Sequence, residues 1–180
     1  MKIQNQYRGI HFIENKKKKY FGEPLLRLVD QKTDLELMYP ESKANIKNGV
    51  LTWVGVVKTG LFSKEYTIKI EYRIGKSPLT WLVNEKLDSE TYMKIPHKYN
   101  ADFNAGTVQL CLYKPRNKEW MKHYSIAKTI VPWAIEWLYY YEIWQITGDW
   151  QGGGAHPTPK ACRNSDKYKE KIEDNKCMRG

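Results

Sequence analysis

The sequence predicts one α+β domain in which an antiparallel β-meander is flanked by an N-terminal helix and a long aromatic C-terminal helix. Two patterns carry this prediction. Residues 66–74 alternate strictly between apolar and polar side chains, which is typical of a half-buried strand. From Ser125 onward, large aromatic side chains recur every three or four residues instead, which is the spacing of one helical face.

The N-terminal helix is predicted over Pro24–Tyr39, where apolar residues such as Leu28 and Leu35 recur at helical spacing. Proline fits the first turn of a helix because no hydrogen bond is lost there, so Pro24 suits the start. A second proline, Pro40, cannot continue the helix and ends it.

The meander is predicted to follow the turn signal Asn48-Gly49. Its three strands are predicted at Val50–Val57, Tyr66–Ile74 and Thr80–Val83. Short connections between sequential strands favour antiparallel pairing. A fourth short strand, or an extended arm beside the meander, is predicted at Gly106–Tyr113.

The long aromatic helix is predicted to be capped by Ser125 or Thr129 and to end at Gly148. Its aromatic stripe consists of Trp133, Trp137, Tyr140 and Trp144. We predict that this stripe packs on the apolar face of the meander, as aromatic rows at helical spacing usually do. The glycine-rich residues 151–157 lack the pattern of a phosphate loop and are interpreted as a flexible exit from the helix.

The 180 residues divide into a basic N-terminal segment (1–22), the folded domain (23–157) and a polar, flexible tail (158–180). A hydrophobic content of 41% excludes disorder throughout the chain. The sequence opens on no apolar leader and contains no uninterrupted apolar stretch of membrane-spanning length. We therefore expect a cytoplasmic protein without a membrane partner.

Three widely separated cysteines do not form the even, closely spaced set of a disulfide framework. His156, Cys162 and Cys177 lack the paired short spacing of a structural zinc site, so neither a metal nor a cofactor is predicted. Cys162 and Cys177 are expected to be exposed thiols without a role.

The net charge of +10 is compatible with an acidic partner, a nucleic acid or simple solubility. The many aromatic residues follow strand and helix periods, which commits them to the core rather than to stacking on bases. No recognised DNA- or RNA-binding motif is present, and a nucleic-acid partner is not expected.

Cys111 lies at the end of a short apolar strand, after the pair Pro96-His97 and before Trp120. A cysteine in a strand is ordinarily a small buried hydrophobe, but this order of parts predicts a thioester-forming nucleophile. His97 either positions the site or acts as a base, since a base needs geometry as well as proximity. Tyr113 and Trp120 either wall a groove beside the cysteine or simply fill the core.

The order of helix, meander, Pro-His pair, cysteine segment, tryptophan and long helix resembles that of ubiquitin-conjugating enzymes. The resemblance covers roughly residues 24–144, with Trp53 in the first predicted strand and Ser125-Ile126 before the last helix. In that family a His-Pro-Asn motif precedes the cysteine. Here His97 is followed by Lys98, Tyr99 and Asn100, so the resemblance makes Asn100, or Asn104, the candidate for oxyanion support.

Residues 129–138 and 147–157 look like a bacterial branch of this family found in CBASS anti-phage operons of the short type II form. The resemblance implies a ubiquitin-conjugating (UBC-like) fold and a catalytic domain at 23–157. It also implies a thioester at Cys111 with the C-terminus of a cyclic-oligonucleotide synthase (CD-NTase), and it leaves the acceptor protein or amine open. The alternative is a non-catalytic adaptor of the same fold that binds the synthase.

Overall fold

The computed structural model describes residues 25–117 and 119–153. The predicted basic segment 1–22 and polar tail 158–180, with Cys162 and Cys177, lie outside the described residues, as does His156. The elements are α1 (Leu28–Met38), β1 (Lys43–Lys47), β2 (Val50–Val57), β3 (Tyr66–Tyr72), β4 (Leu79–Val83), α2 (Ser89–Lys94), β5 (Lys98–Asp102), β6 (Thr107–Leu110), a 3₁₀ turn (Pro115–Asn117) and α3 (Ile130–Thr147).

Within the described residues, six strands form one antiparallel sheet in the order β1-β2-β3-β4-β6-β5. The predicted fold class is confirmed. β2 has the predicted bounds, β3 ends two residues earlier than predicted, and β4 begins one residue earlier. The segment before Cys111 is a true strand, because β6 pairs with β4 on one side and β5 on the other.

The turn between β1 and β2 consists of Asn48 and Gly49, both of which have positive φ angles (52° and 71°). Two successive left-handed residues make the tight hairpin turn that matches the twist of the flanking strands, and Asn-Gly is the pair that best tolerates it. The predicted turn is therefore confirmed, with Lys47 opposite Val50 across it.

The core lies between one face of the sheet and α3. In β3 the side chains of Tyr66, Ile68, Ile70 and Tyr72 are buried, and the intervening polar residues face the other side. This is the alternation that the sequence predicts. The buried residues of α3 are Ile130, Val131, Ala134, Trp137, Leu138 and Tyr141.

Helix α1 is held to the segment that precedes α3 by one buried polar side chain, Gln31. Its Nε2 donates to the Tyr124 carbonyl at 2.8 Å, and its Oε1 accepts from the Ile126 amide at 2.7 Å. A buried amide is stable only when its polar atoms are paired, so these two bonds fix α1 relative to the loop.

Helix α3 begins after Thr129 and ends at Gly148, whose φ of 77° is the left-handed cap that the sequence predicts. The Thr129 side chain does not cap the helix: its hydroxyl donates to the Ser125 carbonyl and accepts from the Trp120 indole. No helix in the described part of the chain, α3 included, combines the length and the apolar character that crossing a bilayer requires.

Candidate active site

Cys111 is the first residue after β6, and its side chain is a partly exposed thiol. Because β5 and β6 are paired, the end of β6 lies beside the residue that precedes β5, which is His97. The Cys111 amide donates to the His97 carbonyl at 3.0 Å. The fold thus brings together two predicted site residues that are fourteen positions apart in the chain.

A cavity of about 540 Å³ lies beside Cys111, between the end of the sheet and α3. We call it the Cys111 cavity. Its walls are mainly aromatic: Tyr113, Trp133, Trp137, Tyr140 and Trp150. The volume lies within the range of protein sites that hold small molecules or short peptide segments, so the thiol faces a space able to receive a substrate.

His97 is buried, with 6% of its surface exposed, and has a left-handed φ of 48°. Its carbonyl accepts a second hydrogen bond from Trp137 Nε1 at 2.9 Å, and its ring stacks on Trp150 with centroids 5.0 Å apart. The residue therefore joins β6, α3 and the segment after α3. These contacts support a role for His97 in positioning the site rather than a role as a base.

The aromatic stripe on α3 is divided between the core and the cavity. Trp137 is buried as predicted, whereas Trp133, Tyr140 and Trp144 are only partly buried, and the first two of these three line the Cys111 cavity. Most residues of α3 are apolar, so no polar face marks which side meets the sheet. The helical spacing of the sequence identified the stripe, but it did not show that part of the stripe lines the Cys111 cavity.

Trp150 lies in the segment after α3 and packs back against the helix, with ring centroids 5.5 Å from Trp137 and 5.9 Å from Tyr140. Gly152 fits closely behind it, because a Cβ at this position would lie 2.7 Å from Trp150 Nε1 and from the Tyr140 ring. The exit from the helix is therefore closely packed at Trp150 and Gly152. Flexibility of residues 151–157 stays a prediction. Residues 154–157 lie outside the described part of the chain.

Two carboxylates, Glu119 and Glu136, also line the Cys111 cavity. Glu119 accepts hydrogen bonds from the Lys114 amide at 2.9 Å and from Asn117 Nδ2 at 3.0 Å. Glu136 is exposed on α3. Sequence reasoning missed both, and the only available signal was that Glu136 lies between the aromatic positions of the helix.

Tyr113 lies in the wall of the Cys111 cavity, and burial raises the pKa of its hydroxyl to about 12. Its role as a groove residue stays a prediction. Trp120 lies elsewhere: it is buried, its ring packs edge-on against Tyr72, and it borders a different cavity of about 350 Å³. The structure does not place Trp120 among the residues that line the Cys111 cavity.

Asn100 is exposed on β5, and its Oδ1 accepts a hydrogen bond from the adjacent Ala101 amide at 2.9 Å. It is not among the described residues that line the Cys111 cavity, and the same holds for Asn104, which is exposed in the β5–β6 turn. Support of an oxyanion by Asn100 stays a prediction. Across residues 25–117 and 119–153, no three His, Cys, Asp or Glu side chains converge as metal ligands.

The antiparallel sheet, the flanking helices and a partly exposed cysteine after β6 together define a protein similar to ubiquitin-conjugating (E2) enzymes. The model of one family, described as type II CBASS E2 protein, matches residues 31–157. The chain therefore belongs to the type II CBASS E2 family and has an E2-like role in CBASS anti-phage signalling. No curated protein matches the sequence.

Proposed function

We propose that Cys111 forms a thioester with the carboxyl terminus of a protein partner, a cyclic-oligonucleotide synthase (CD-NTase), and thereby regulates anti-phage signalling in the cytoplasm. The observation that carries this proposal is the partly exposed Cys111 thiol beside a cavity of about 540 Å³. A cysteine used only for packing is usually buried among apolar side chains, away from such a space.

The chemistry is acyl exchange at sulfur. The Cys111 thiolate attacks the carbonyl carbon of an activated carboxyl terminus, the C–S bond forms, and the activating group leaves with its bonding electrons. In the second step an acceptor nucleophile attacks the same carbonyl carbon and the thiolate leaves. The thioester is thus a carrier, and the acyl group ends on the acceptor, for which a protein amine is the natural candidate.

The surroundings of Cys111 suit a carrier more than a hydrolase. His97 fixes the Cys111 main chain through its carbonyl, and its ring is stacked against Trp150. The aromatic walls reduce contact between the thioester and water, which favours transfer to an acceptor over hydrolysis. The net charge of +10 favours an encounter with an acidic surface of the partner.

Co-expression with a candidate CD-NTase tests the proposal. Non-reducing electrophoresis should show an adduct of the two chains that excess thiol cleaves, because thiol exchange regenerates Cys111. Cys111→Ala should abolish the adduct without loss of the fold, whereas Cys162→Ser with Cys177→Ser should retain it. The two proteins should also co-purify, with the interaction requiring the C-terminal residues of the synthase.

The adaptor alternative predicts a different result in the same experiment. If Cys111→Ala still co-purifies with the synthase and still supports phage defence in cells, then the cysteine is not a nucleophile and the protein acts by binding. A Cys111→Ala protein that keeps the complex but loses both adduct and defence supports the thioester.

A further inference from the structure

We propose that the Cys111 cavity contains a binding site for an organic cation, the ammonium of a lysine or the guanidinium of an arginine, centred on Glu136. Which polypeptide brings this cation depends on the proposed function. The site itself does not, because it is defined by side chains around a thiol whose reactivity can be measured in the isolated protein.

The geometry of α3 places Glu136 between two aromatic rings. Trp133 lies three residues before it and Tyr140 four residues after it, so the three side chains share one stripe of the helix, and all three line the Cys111 cavity. A carboxylate flanked by indole and phenol faces suits a cation, which gains from the negative charge and from the electron-rich faces of the rings.

Glu136 is also available to a ligand. The Glu119 carboxylate already accepts two hydrogen bonds from Lys114 and Asn117. By contrast, the Glu136 carboxylate makes no hydrogen bond and no ion pair with any residue in the described ranges. A carboxylate that lines a concave site beside aromatic rings attracts a cation, and Glu136 is exposed and therefore accessible to one.

Among the described residues, the charges that line the Cys111 cavity are opposite in sign to the net charge of the chain. The protein carries 30 Lys and Arg against 20 Asp and Glu. Yet two carboxylates, and neither lysine nor arginine, are found among the described residues that line the Cys111 cavity. This local reversal selects for a basic group close to the sulfur. Two sources supply one: the acceptor amine that attacks the thioester, or a basic side chain near the carboxyl terminus of the donor.

The direct test compares matched thiol reagents on a protein in which Cys162 and Cys177 are replaced by serine. Methanethiosulfonates that carry a trimethylammonium, a sulfonate or no charge modify the same thiolate and release the same methanesulfinate. In the parent protein the cationic reagent should react faster than the anionic one. Glu136→Gln should lower this cation-to-anion ratio by about threefold to tenfold, as expected for loss of a partly screened charge. The neutral reagent should keep its rate.

Two matched controls separate the site from the global charge and from packing. Glu90→Gln removes a carboxylate of α2 that does not line the cavity, so the ratio should stay that of the parent. Tyr140→Leu should lower the ratio, whereas Tyr139→Leu, an exposed neighbour outside the cavity, should not. The preference should also shrink at high salt.

The source of the cation is then resolved with the thioester-loaded protein. If the acceptor supplies the cation, Glu136→Gln raises the KM for lysine as acceptor. The rate of thioester discharge to hydroxylamine, which is uncharged at neutral pH, then stays unchanged. If the donor supplies it, Glu136→Gln slows loading instead, and removal of the donor's terminal basic residues slows loading equally. Equal cation-to-anion ratios in the parent and in Glu136→Gln would overturn the inference even if the thioester forms.

Discussion

The His97 carbonyl accepts hydrogen bonds from both the Cys111 amide and the Trp137 indole, at 3.0 and 2.9 Å. One main-chain oxygen therefore connects the end of β6 to α3 at the point where the thiol is presented. His97 reaches this position with a φ of 48°, a region that most side chains disfavour and that β-branched residues adopt only with strain. The backbone of His97, as much as its ring, determines where Cys111 lies.

This relationship predicts that two substitutions of His97 will differ in their effect on stability, although both remove the imidazole. Asparagine tolerates the left-handed region, so His97→Asn should retain the carbonyl bonds. His97→Val should lower the free energy of unfolding by about 1–2 kcal/mol more, because valine is strained there. Urea denaturation measures the difference. If the two variants are equally stable, backbone conformation is not what His97 contributes.

Alkylation of Cys111 in the same variants gives a second measurement. His97→Val should change the alkylation rate more than His97→Asn does, because displacement of the carbonyl frees the Cys111 amide. A positional effect of this kind also predicts that His97→Ala impairs adduct formation less than Cys111→Ala does.

A second prediction concerns the packing of Trp150 over the Cys111 cavity. In Gly152→Ala the new methyl group would meet Trp150 Nε1 and the Tyr140 ring at 2.7 Å, which forces one of them to move. We expect a loss of about 1–3 kcal/mol in stability, as for other overpacked sites. Because Trp150 lines the Cys111 cavity, its displacement should also change the rate at which a bulky thiol reagent modifies Cys111.

Gly153→Ala is the matched control for that substitution. Among the described residues other than its chain neighbours, none has an atom within 4 Å of a Cβ at Gly153, so the added methyl group should leave stability unchanged. Equal effects of the two glycine substitutions would mean that the contact with Trp150 is unimportant and that the chain entropy of this segment dominates.

A third prediction concerns the buried amide that holds α1. Gln31→Leu keeps the side chain's approximate size but removes the hydrogen bonds to the Tyr124 carbonyl and to the Ile126 amide, and the amide is then buried without the partner that Gln31 supplies. Burial of unpaired polar groups should reduce stability by about 2–4 kcal/mol. Thr33→Ala, at an exposed position of the same helix, should change it by less than about 0.5 kcal/mol. Thermal or urea unfolding measures the stability of both variants. If Gln31→Leu is as stable as the parent, Gln31 does not hold α1 in place through these hydrogen bonds.

How much of the fold follows from the sequence depends on how strongly each element is patterned. β2 and β3 were predicted closely because their side chains alternate and a tight Asn-Gly turn precedes β2. β1 and β5 were missed since they are edge strands rich in polar side chains, β1 largely exposed and β5 partly exposed, and their pairing is set by neighbouring strands. α2, with six residues, is too short to show a helical period.

The site was also predictable only in part, because some of its residues follow no local sequence pattern. Cys111 and His97 stand out by residue type and order, and the structure brings them together. Trp150 and Glu136 reach the cavity through the return of the chain after Gly148 and through the rotation of α3, neither of which leaves a local pattern. For Trp120 the sequence leaves open a groove wall or a place in the core, and in the structure it is buried and borders another cavity.

The last prediction concerns the atom that holds the acyl group. In Cys111→Ser an alkoxide replaces the thiolate as nucleophile and as leaving group. The hydroxyl is hardly ionised at neutral pH, so the adduct should form more slowly, and because an alkoxide leaves poorly it should accumulate as an oxyester. Excess thiol should cleave the wild-type adduct but not the serine adduct, and mild alkali should cleave both. Mass spectrometry should place both bonds at residue 111. An alkali-resistant adduct that forms equally in the wild type and in Cys111→Ala would be an amide made without the thiol, which would exclude Cys111 as the acyl carrier.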